Sequence, residues 1–549
     1  MFLIALGAAT ASAAPTIRVV APASGANVGN PIYFEAYAYN ASCKSGISAI
    51  RLYSAPGKAA ATVYSNHIET FVGLKPGKYT TTLVAYDNCG GTTAKNIPIT
   101  VNATTGVTTF LPSSTTVGAP VHVVASAQTS ACANGVKSMR VYTSPGVVPY
   151  SVFGNQVDAF LALAPGNYNI VVQASDHCGN VMKSSFPLTA SAVADRFLYS
   201  TGGRPADAEV IMFPLAHGVV GPTVGVVAAT GAADGLTQMF ADPAGYFLYA
   251  TDGLSIYAYQ IDRNNGRLFG VPGSPFRVGS GTRVQIAMDP SGHFLYVSDP
   301  GAKNLTTYAI NRSDGTLGSP VTTSAVPGGS LITNYTGAYL YDFSYSSAIG
   351  NDQIYAFAVD FNTGVLTKVS GSPFTVPGSL WEVMPPATAW KYLYLTGAPN
   401  CPACYDETFA YEIAANGSLS LVPGSPFVSQ NIQVLGTPVA DWLTRYYWYP
   451  SQTQNSTEFF VETSDINGSS GALGASVSTS TGTDLYNLFV EDHSGNYIYG
   501  SGQTSTCNGT GCAAAFGSWT IGAKGKLVAL SGPVLSGYNT PPGALANSR

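Results

Sequence analysis

A few short motifs combine residue types that could carry out chemistry, and the most suggestive is Asp492-His493-Ser494. It contains the carboxylate, imidazole and hydroxyl groups of a hydrolytic triad. A triad needs side chains that converge in space, and adjacent positions in a chain do not provide this. Together with Gly495, the trio also fits a turn motif that recurs in this half of the chain. We therefore predict a turn at residues 492–495.

Two closely spaced cysteine pairs could bind a metal: Cys401 with Cys404, and Cys507 with Cys512. Four thiolates could hold zinc, and either pair alone could be redox-active. The two pairs lie two repeats apart, which argues against a shared metal. In an exported chain, neighbouring cysteines usually form disulfides. We predict two local disulfides, no metal and no other cofactor.

The segment from Asp262 to Gly266 is similar to the first part of a calcium loop. It lacks the distal glutamate that completes calcium coordination, and its Asn-Gly pair is typical of a tight hairpin. We predict a hairpin turn there. No phosphate-binding glycine loop is found.

The composition argues against electrostatic partners. Charged residues make up 10% of the 549 residues, and the net charge is −5. A nucleic-acid partner would require a basic surface, so none is expected. No segment after the N-terminus has the roughly 18 uninterrupted apolar residues of a membrane span.

The N-terminus predicts export. An apolar stretch at residues 1–7 precedes Ala11-Ser12-Ala13, which has the small-residue pattern of a cleavage site. We expect residues 1–13 to be a signal peptide cleaved after Ala13, although the stretch could instead be a buried first strand. The even number of cysteines, eight, agrees with a secreted, periplasmic or cell-surface location.

A short aromatic segment recurs seven times after residue 195, in steps of 45 to 53 residues. Each copy is apolar on both faces of a strand, so it must be covered on both sides. Several strands per repeat at this period indicate a β-propeller, here with seven blades. The copies are Phe197-Leu198-Tyr199, Phe247-Leu248-Tyr249, Phe294-Leu295-Tyr296, Tyr339-Leu340-Tyr341, Tyr392-Leu393-Tyr394, Tyr446-Tyr447-Trp448 and Tyr497-Ile498-Tyr499.

The first copy lacks a preceding innermost strand. We hypothesise that residues near 542–546 supply it, which would close the ring with both ends of the domain. The predicted propeller spans residues 192–549.

The region before it contains a duplication with an offset of 89 residues. Cys43 and Cys89 are 46 residues apart, and so are Cys132 and Cys178. We predict two immunoglobulin-like sandwiches at residues 14–102 and 103–191, by their size and alternating strands. The cysteines follow the strands, so each disulfide should join two loops at one end of a sandwich.

The propeller resembles the lactonase-like seven-bladed family, which includes enzymes of the 6-phosphogluconolactonase type. The motifs that carry the resemblance are the Asp-Pro-x-Gly-x-Phe-Leu-Tyr units, Gly-x-Leu turns such as Gly315-Thr316-Leu317, and three Gly-Ser-Pro-Phe copies. The two modules ahead of it resemble the small sandwich domains that precede propellers in exported bacterial proteins.

The resemblance also implies site residues. Enzymes of that family carry a Gly-Pro-Arg-His-like segment on an inner strand, and the corresponding residues here, 281–284, keep Gly and Arg but lack Pro and His. Arg283 could be the cation and Glu382 the base of a ring-opening reaction, or both could simply line the channel and bind water. Gln238 and Gln285 are further candidates for ligand binding.

Two functional classes remain. The absent histidine, the sparse charge and the tandem modules favour a non-enzymatic extracytoplasmic binding or scaffolding protein. Its partner would be a small molecule, glycan or protein at a propeller face, and the chain would be a monomer. The alternative is a lactonase-type hydrolase or isomerase acting on a sugar lactone or a related small molecule.

Overall fold

The computed structural model is almost entirely β-sheet, as the sequence predicts. It describes residues 14–548 apart from 145–149, 162, 164, 203–207, 230–231, 233–234, 281–282, 345–351, 378–379, 384–385, 390, 400–404, 430–432, 435, 453–457, 483–484, 509–510, 531–533 and 536–544. The helical element in the described residues is a short 3-10 turn, Ala523–Gly525. No described helix has the length and apolar character that crossing a membrane requires. The predicted signal peptide lies outside the described residues.

The strands before residue 192 are β1 Thr16–Ala21, β2 Ala26–Val28, β3 Ile32–Tyr39, β4 Ile47–Ala55, β5 Lys58–Val63, β6 His67–Val72, β7 Gly77–Asp87, β8 Thr92–Val101, β9 Gly106–Leu111, β10 Thr116–Gly118, β11 Val121–Gln128, β12 Val136–Ser144, β13 Tyr150–Phe153, β14 Gln156–Leu161, β15 Gly166–Asp176 and β16 Val181–Ser191.

The strands after residue 192 are β17 Phe197–Gly202, β18 Glu209–Ala216, β19 Val219–Val220, β20 Gly225–Ala228, β21 Gln238–Ala241, β22 Phe247–Thr251, β23 Ser255–Ile261, β24 Leu268–Gly270, β25 Phe276–Arg277, β26 Gln285–Met288, β27 Phe294–Asp299, β28 Asn304–Ile310, β29 Leu317–Ser324, β30 Ser330–Thr333, β31 Tyr339–Ser344, β32 Gln353–Val359, β33 Leu366–Lys368, β34 Phe374–Thr375, β35 Leu380–Val383, β36 Ala387–Ala389, β37 Tyr392–Pro399, β38 Glu407–Ile413, β39 Leu419–Leu421, β40 Phe427–Val428, β41 Gln433–Val434, β42 Val439–Ala440, β43 Tyr446–Gln452, β44 Phe459–Asp465, β45 Val477–Gly482, β46 Leu485–Glu491, β47 Tyr497–Asn508, β48 Gly511–Ile521, β49 Leu527–Ala529, β50 Val534–Leu535 and β51 Leu545–Ser548.

The first sixteen strands form two units with the same topology. In the first unit, the sheets have the orders β1-β3-β6 and β2-β8-β7-β4-β5. The second unit repeats this with β9-β11-β14 and β10-β16-β15-β12-β13. Each unit has a hydrophobic core, and the core of the first unit also includes Phe110, Leu111 and Val124 of the second. The duplication is therefore visible in the topology, whereas the boundaries of the units and their immunoglobulin-like class stay predictions. We call the units module 1 and module 2.

The structure contains the disulfides Cys43–Cys89 and Cys132–Cys178. In each module, one cysteine lies between the third and fourth strands and the other between the seventh and eighth. This confirms that the disulfides join loops. The predicted Cys401–Cys404 pair lies outside the described residues. The backbones of Cys507 and Cys512 face each other in the register of β47 and β48, but their side chains are outside the described part of the chain.

In the described part of residues 197–548, the strands form seven antiparallel sheets arranged in a ring, which confirms the seven-bladed propeller. Each inner strand lies beside the inner strands of the two neighbouring sheets, in the order β51, β21, β26, β30, β36, β42, β46 and back to β51. The seven aromatic repeats are the second strands of the seven blades: β17, β22, β27, β31, β37, β43 and β47.

The two ends of the domain close the ring. β51 pairs antiparallel with β17, so Leu198 lies opposite Asn547 and Tyr199 opposite Ala546. The C-terminal residues thus supply the inner strand of the first blade, as hypothesised from the missing strand in the first repeat.

The aromatic repeat also joins adjacent blades. The first aromatic residue of each repeat packs against a glycine in the outer turn of the next blade. At Gly471, for example, an added Cβ would collide with the ring of Tyr392, and the φ of +76° also favours glycine there. The hydroxyl of Tyr394 donates to the carbonyl of the same Gly471 at 3.0 Å. The last pair, Tyr497 against Gly218, connects the seventh blade to the first.

The Asp-Pro-x-Gly segments are turns between the first and second strands of a blade. The Asp242 carboxylate accepts hydrogen bonds from the backbone of Tyr246 and Phe247, each at 2.6 Å, and Gly245 N donates to Asp242 O. These turns lie on one face of the ring, together with the outer turns. We call it the basal face, because the two modules dock against it.

Module 1 is fixed to the basal face by specific hydrogen bonds. Asn66 N donates to Gln260 Oε1 at 3.2 Å, and Glu69 N donates to Ser313 Oγ at 3.1 Å. The buried Glu35 accepts from the Tyr246 hydroxyl at 2.9 Å. The modules are thus integral to one face of the propeller.

Candidate active site

The inner strands surround a cavity of about 360 Å³ on the propeller axis, which we call the axial cavity. Gln238 on β21 and Gln285 on β26 both line it. Gln238 Oε1 accepts a hydrogen bond from Ile286 N at 2.7 Å, so this amide bridges two blades. The structure therefore brings together the two glutamines that the sequence proposed for ligand binding.

Arg283 and Glu382 are placed differently. Arg283 is exposed, lies two residues before β26 and packs beside Gly253, and it is not part of the lining of the axial cavity. The backbone of Glu382 belongs to β35, opposite Ala398, but its side chain is outside the described residues. Their roles as cation and base stay predictions.

The described lining of the axial cavity contains hydroxyl and amide groups but no titratable side chain. Besides the two glutamines, its polar residues are Thr237, Thr333 and Thr437. Such groups can hold the hydroxyls of a ligand, because each both donates and accepts hydrogen bonds. They cannot supply a general base.

A second cavity of about 320 Å³, the basal cavity, lies where the channel meets module 2. It shares Phe240 and Met288 with the axial cavity, so the two chambers adjoin. Phe160 and Pro120 of module 2 form part of its wall, and His493 is its basic side chain. An apolar chamber with a few polar groups at a domain junction is typical of a small-molecule site.

His493 forms a close pair with a distant carboxylate. Its Nδ1 lies 2.7 Å from Asp195 Oδ1, and its backbone N–H donates to Asp195 Oδ2 at 3.0 Å. Asn547 Nδ2 on the closing strand also donates to Asp195 Oδ2, at 2.7 Å. Because a carboxylate accepts, Nδ1 donates in this pair, and in the neutral imidazole the lone pair then lies on Nε2.

The neighbouring Asp492 is hydrogen-bonded to the backbone of Asp195. Asp492 Oδ2 accepts the backbone N–H of Asp195 at 2.7 Å. Burial, and then the Asp195 carboxylate, raise the pKa of Asp492. Asp492 therefore binds a proton more readily than an exposed aspartate does.

The predicted turn at residues 492–495 is confirmed, because Gly495 N donates to Asp492 O at 2.9 Å. Sequence reasoning nevertheless missed the pair, since the partner of His493 is Asp195, 298 residues earlier in the chain. The sequence did contain one signal for the pair. His493 lies in the first turn of the seventh blade, and this blade is the neighbour of the closing strand β51. The turn predicted at Asp262–Gly266 is also confirmed, by the hydrogen bond from Gly266 N to Asp262 O.

A second charged cluster lies between both modules and the propeller. Glu69, His122 and Asp158 each place one potential ligand atom within 4.8 Å of the others, an arrangement that could hold a metal ion. Arg312, however, already faces these carboxylates: its Nε lies 3.1 Å from Glu69 Oε1 and 3.7 Å from Asp158 Oδ2. His122 Nε2 bonds Asp158 Oδ1 at 2.7 Å. The cluster is thus an ion-pair network that joins three parts of the chain.

The two carboxylates of this network titrate in opposite directions. Burial, with Asp158 as a further cause, raises the pKa of Glu69 well above its usual range. Burial acts on Asp158 too, but Arg312 and His122 outweigh it and hold the pKa of Asp158 well below its usual range. Asp158 is therefore the anion and Glu69 the group that can accept a proton.

Comparison with protein families agrees with the propeller fold. Residues 223–376 match the family model described as "Lactonase, 7-bladed beta-propeller". Among solved structures, a putative 6-phosphogluconolactonase from Bacteroides fragilis is similar at 13% identity and a TM-score of 0.46, over 66% of this chain and 99% of that one. A functionally unknown protein from Desulfotomaculum acetoxidans is similar at 13% identity and a TM-score of 0.46, over 64% and 99%.

The periplasmic gluconolactonase of Pseudomonas aeruginosa is similar at 13% identity and a TM-score of 0.43, over 65% of this chain and 99% of that one. No curated protein matches the chain. The fold and the family-model match together define a seven-bladed propeller that is lactonase-like over residues 223–376. That match does not extend to the two modules.

Proposed function

We propose that this chain is an exported hydrolase that opens the ring of a lactone-like small molecule in the basal cavity. The observation that carries the proposal is the Asp195–His493 pair, whose imidazole lines an apolar chamber on the propeller channel. The lactonase family-model match over residues 223–376 supports this function better than the non-enzymatic role that the sequence favoured.

The reaction is a general-base hydrolysis. His493 Nε2 removes a proton from a water molecule, which attacks the lactone carbonyl carbon. The ring C–O bond then breaks, and the imidazolium returns the proton to the leaving alkoxide, so the net change is the addition of one water. Asp195 orients the ring and stabilises the imidazolium. A positioned base of this kind contributes about 10²- to 10⁴-fold to the rate.

Export is supported by the two disulfides, Cys43–Cys89 and Cys132–Cys178, because such bonds persist in oxidising compartments. The glutamines and threonines of the adjoining axial cavity would hold the hydroxyl groups of a sugar-derived lactone. Module 2 contributes Phe160 to the chamber wall, so the modules would form part of the enzyme.

The test is acid release by the purified full chain from a set of lactones: glucono-δ-lactone, galactono-γ-lactone, 6-phosphoglucono-δ-lactone and γ-butyrolactone. A pH-stat measures the rate above spontaneous hydrolysis. His493→Asn should lower kcat by about 10²-fold or more, with little change in melting temperature. His217→Asn is the matched control, since His217 is exposed and lines neither cavity. Hydrolysis of none of the lactones, or wild-type rates for His493→Asn, would refute the proposal.

A further inference from the structure

A third cavity, of about 350 Å³, lies outside the channel between module 1 and the second blade. We call it the junction crevice. One wall is the module 1 end that carries the Cys43–Cys89 disulfide, and the other is the outer turn of the blade, around Asp262 to Phe269. The hydrogen bonds of Asn66 with Gln260 and with Ile261 O hold the two walls together. The crevice therefore exists only when the module is docked.

The lining of the crevice is polar but nearly uncharged. Side-chain amides are its most numerous polar groups, and among the described lining residues one acid, Asp262, is balanced by one base, Arg267. A charged ligand would thus gain no net attraction from the walls. Amides present donors and acceptors in fixed planes, which suits a ligand that carries many hydroxyl groups.

Two of these amides retain unused hydrogen-bonding groups. Asn66 Oδ1 is buried and has no hydrogen-bond partner among the described residues. Gln260 is 5% exposed; its Oε1 accepts from Asn66 N, and no described residue bonds its amide nitrogen. A buried acceptor without a partner is costly, and a hydrogen bond from a ligand hydroxyl or a water molecule would lower that cost.

The crevice also presents aromatic rings. Tyr64, which is 66% exposed, is one of the lining residues, so its ring is accessible to a ligand. Phe269 forms part of the opposite wall and packs against Gly46, where a φ of +72° and the nearby ring leave no room for a side chain. The C–H face of a sugar ring stacks on such aromatic surfaces.

From these features we infer that the junction crevice binds a neutral saccharide of one or two rings. Its volume is at the lower end of the range for small-ligand sites, about 300 Å³ and above. Its balanced charge, unused amide groups and exposed tyrosine match a neutral polyhydroxylated ligand. The inference is independent of the proposed hydrolysis, because the crevice shares no lining residue with the basal or axial cavity.

The test is saturation-transfer NMR on the purified full chain with glucose, galactose, mannose, N-acetylglucosamine, cellobiose and chitobiose. Glucuronate and glucosamine serve as charged analogues. At least one neutral sugar should bind, and should bind more tightly than its charged analogue. Tyr64→Ala should weaken it about ten-fold, the size of one aromatic contact. Arg267→Ala should weaken it less, since a neutral sugar gains no charge attraction from Arg267.

The matched control is Tyr405→Ala, because Tyr405 is also an exposed tyrosine, at 44%, but does not line the crevice. Tyr64→Ala should keep the wild-type melting temperature, since its ring is mostly in solvent. The inference is overturned if no neutral sugar binds at millimolar concentration, if a charged analogue binds better, or if Tyr64→Ala and Arg267→Ala bind as the wild type does.

Discussion

Removing the charge of Arg312 should undock the modules from the propeller. The Arg312 side chain is 10% exposed and its Nε lies 3.1 and 3.2 Å from the two oxygens of Glu69. Its Nη1 donates to Ser291 O at 2.9 Å, and its guanidinium lies 5.1 Å from the centre of the Phe160 ring. Asp158 Oδ2 of module 2 also lies 3.7 Å from Nε, so this one cation pairs with a carboxylate of each module.

The magnitude follows from burial. Arg312→Met keeps most of the side-chain volume but leaves the buried carboxylates of Glu69 and Asp158 without their cation. Breaking a buried ion pair in this way costs about 3–5 kcal/mol. Since about 1.4 kcal/mol corresponds to a factor of ten, the docking equilibrium should shift by roughly 10² to 10⁴.

The defect should depend on pH. The pKa of Glu69 is already raised by burial, and the loss of Arg312 removes the cation that opposes this rise. A proton on Glu69 then relieves the defect, and its binding is favoured as the pH falls. Arg312→Met should therefore lose more stability at pH 8 than at pH 5.

Differential scanning calorimetry and small-angle X-ray scattering measure the effect on the full chain. The control is Lys391→Met, which removes the half-buried Lys391–Glu412 pair, 2.6 Å apart, and should cost no more than about 1 kcal/mol. Adding Glu69→Gln to Arg312→Met should restore part of the stability at pH 8. If Arg312→Met and Lys391→Met lower the unfolding temperature by the same amount, the network does not hold the modules in place.

Three further predictions concern the propeller. Burial raises the pKa of Asp342 to about 7, so the folded state keeps a proton that the unfolded chain releases above about pH 4. The free energy of unfolding of the wild type should therefore fall as pH rises from about 4 to about 7. Asp342→Asn should remove this pH dependence and be more stable than the wild type by at most about 4 kcal/mol at pH 8. Parallel pH profiles of the two melting temperatures would contradict this. Tyr394→Phe leaves the Gly471 carbonyl without its donor and should cost about 1 kcal/mol in chemical denaturation, whereas Tyr405→Phe at an exposed site should not. Deleting residues 545–549 removes the inner strand of the first blade, and the melting temperature should fall sharply; an unchanged melt would mean that β51 does not close the ring.

Local patterns in the sequence were enough to predict most of the fold. Each aromatic repeat is apolar on both faces, and such a strand is stable only when a neighbouring sheet covers each face. The number of repeats therefore predicted the number of blades. The fixed offset between the cysteine pairs revealed the duplicated modules, and both disulfides join loops as expected. The missing strand of the first repeat even indicated where the closing strand had to come from.

The candidate site was predicted in part. Gln238 and Gln285 meet in the axial cavity because inner strands of successive blades lie side by side around one axis. Arg283 does not line that cavity, since it precedes the inner strand that begins at Gln285. A position near an inner strand was therefore insufficient to predict an orientation toward the channel.

The Asp195–His493 pair, the Arg312 network and the junction crevice were decided by the tertiary structure alone. Asp195 and His493 are 298 residues apart, and they meet because the last blade is next to the first in a closed ring. Repeats and alternation reflect the local requirement of each strand to bury its faces, so they can be read along the chain. Contacts between a module and a blade depend on how whole sheets dock, and no local sequence pattern predicts this docking.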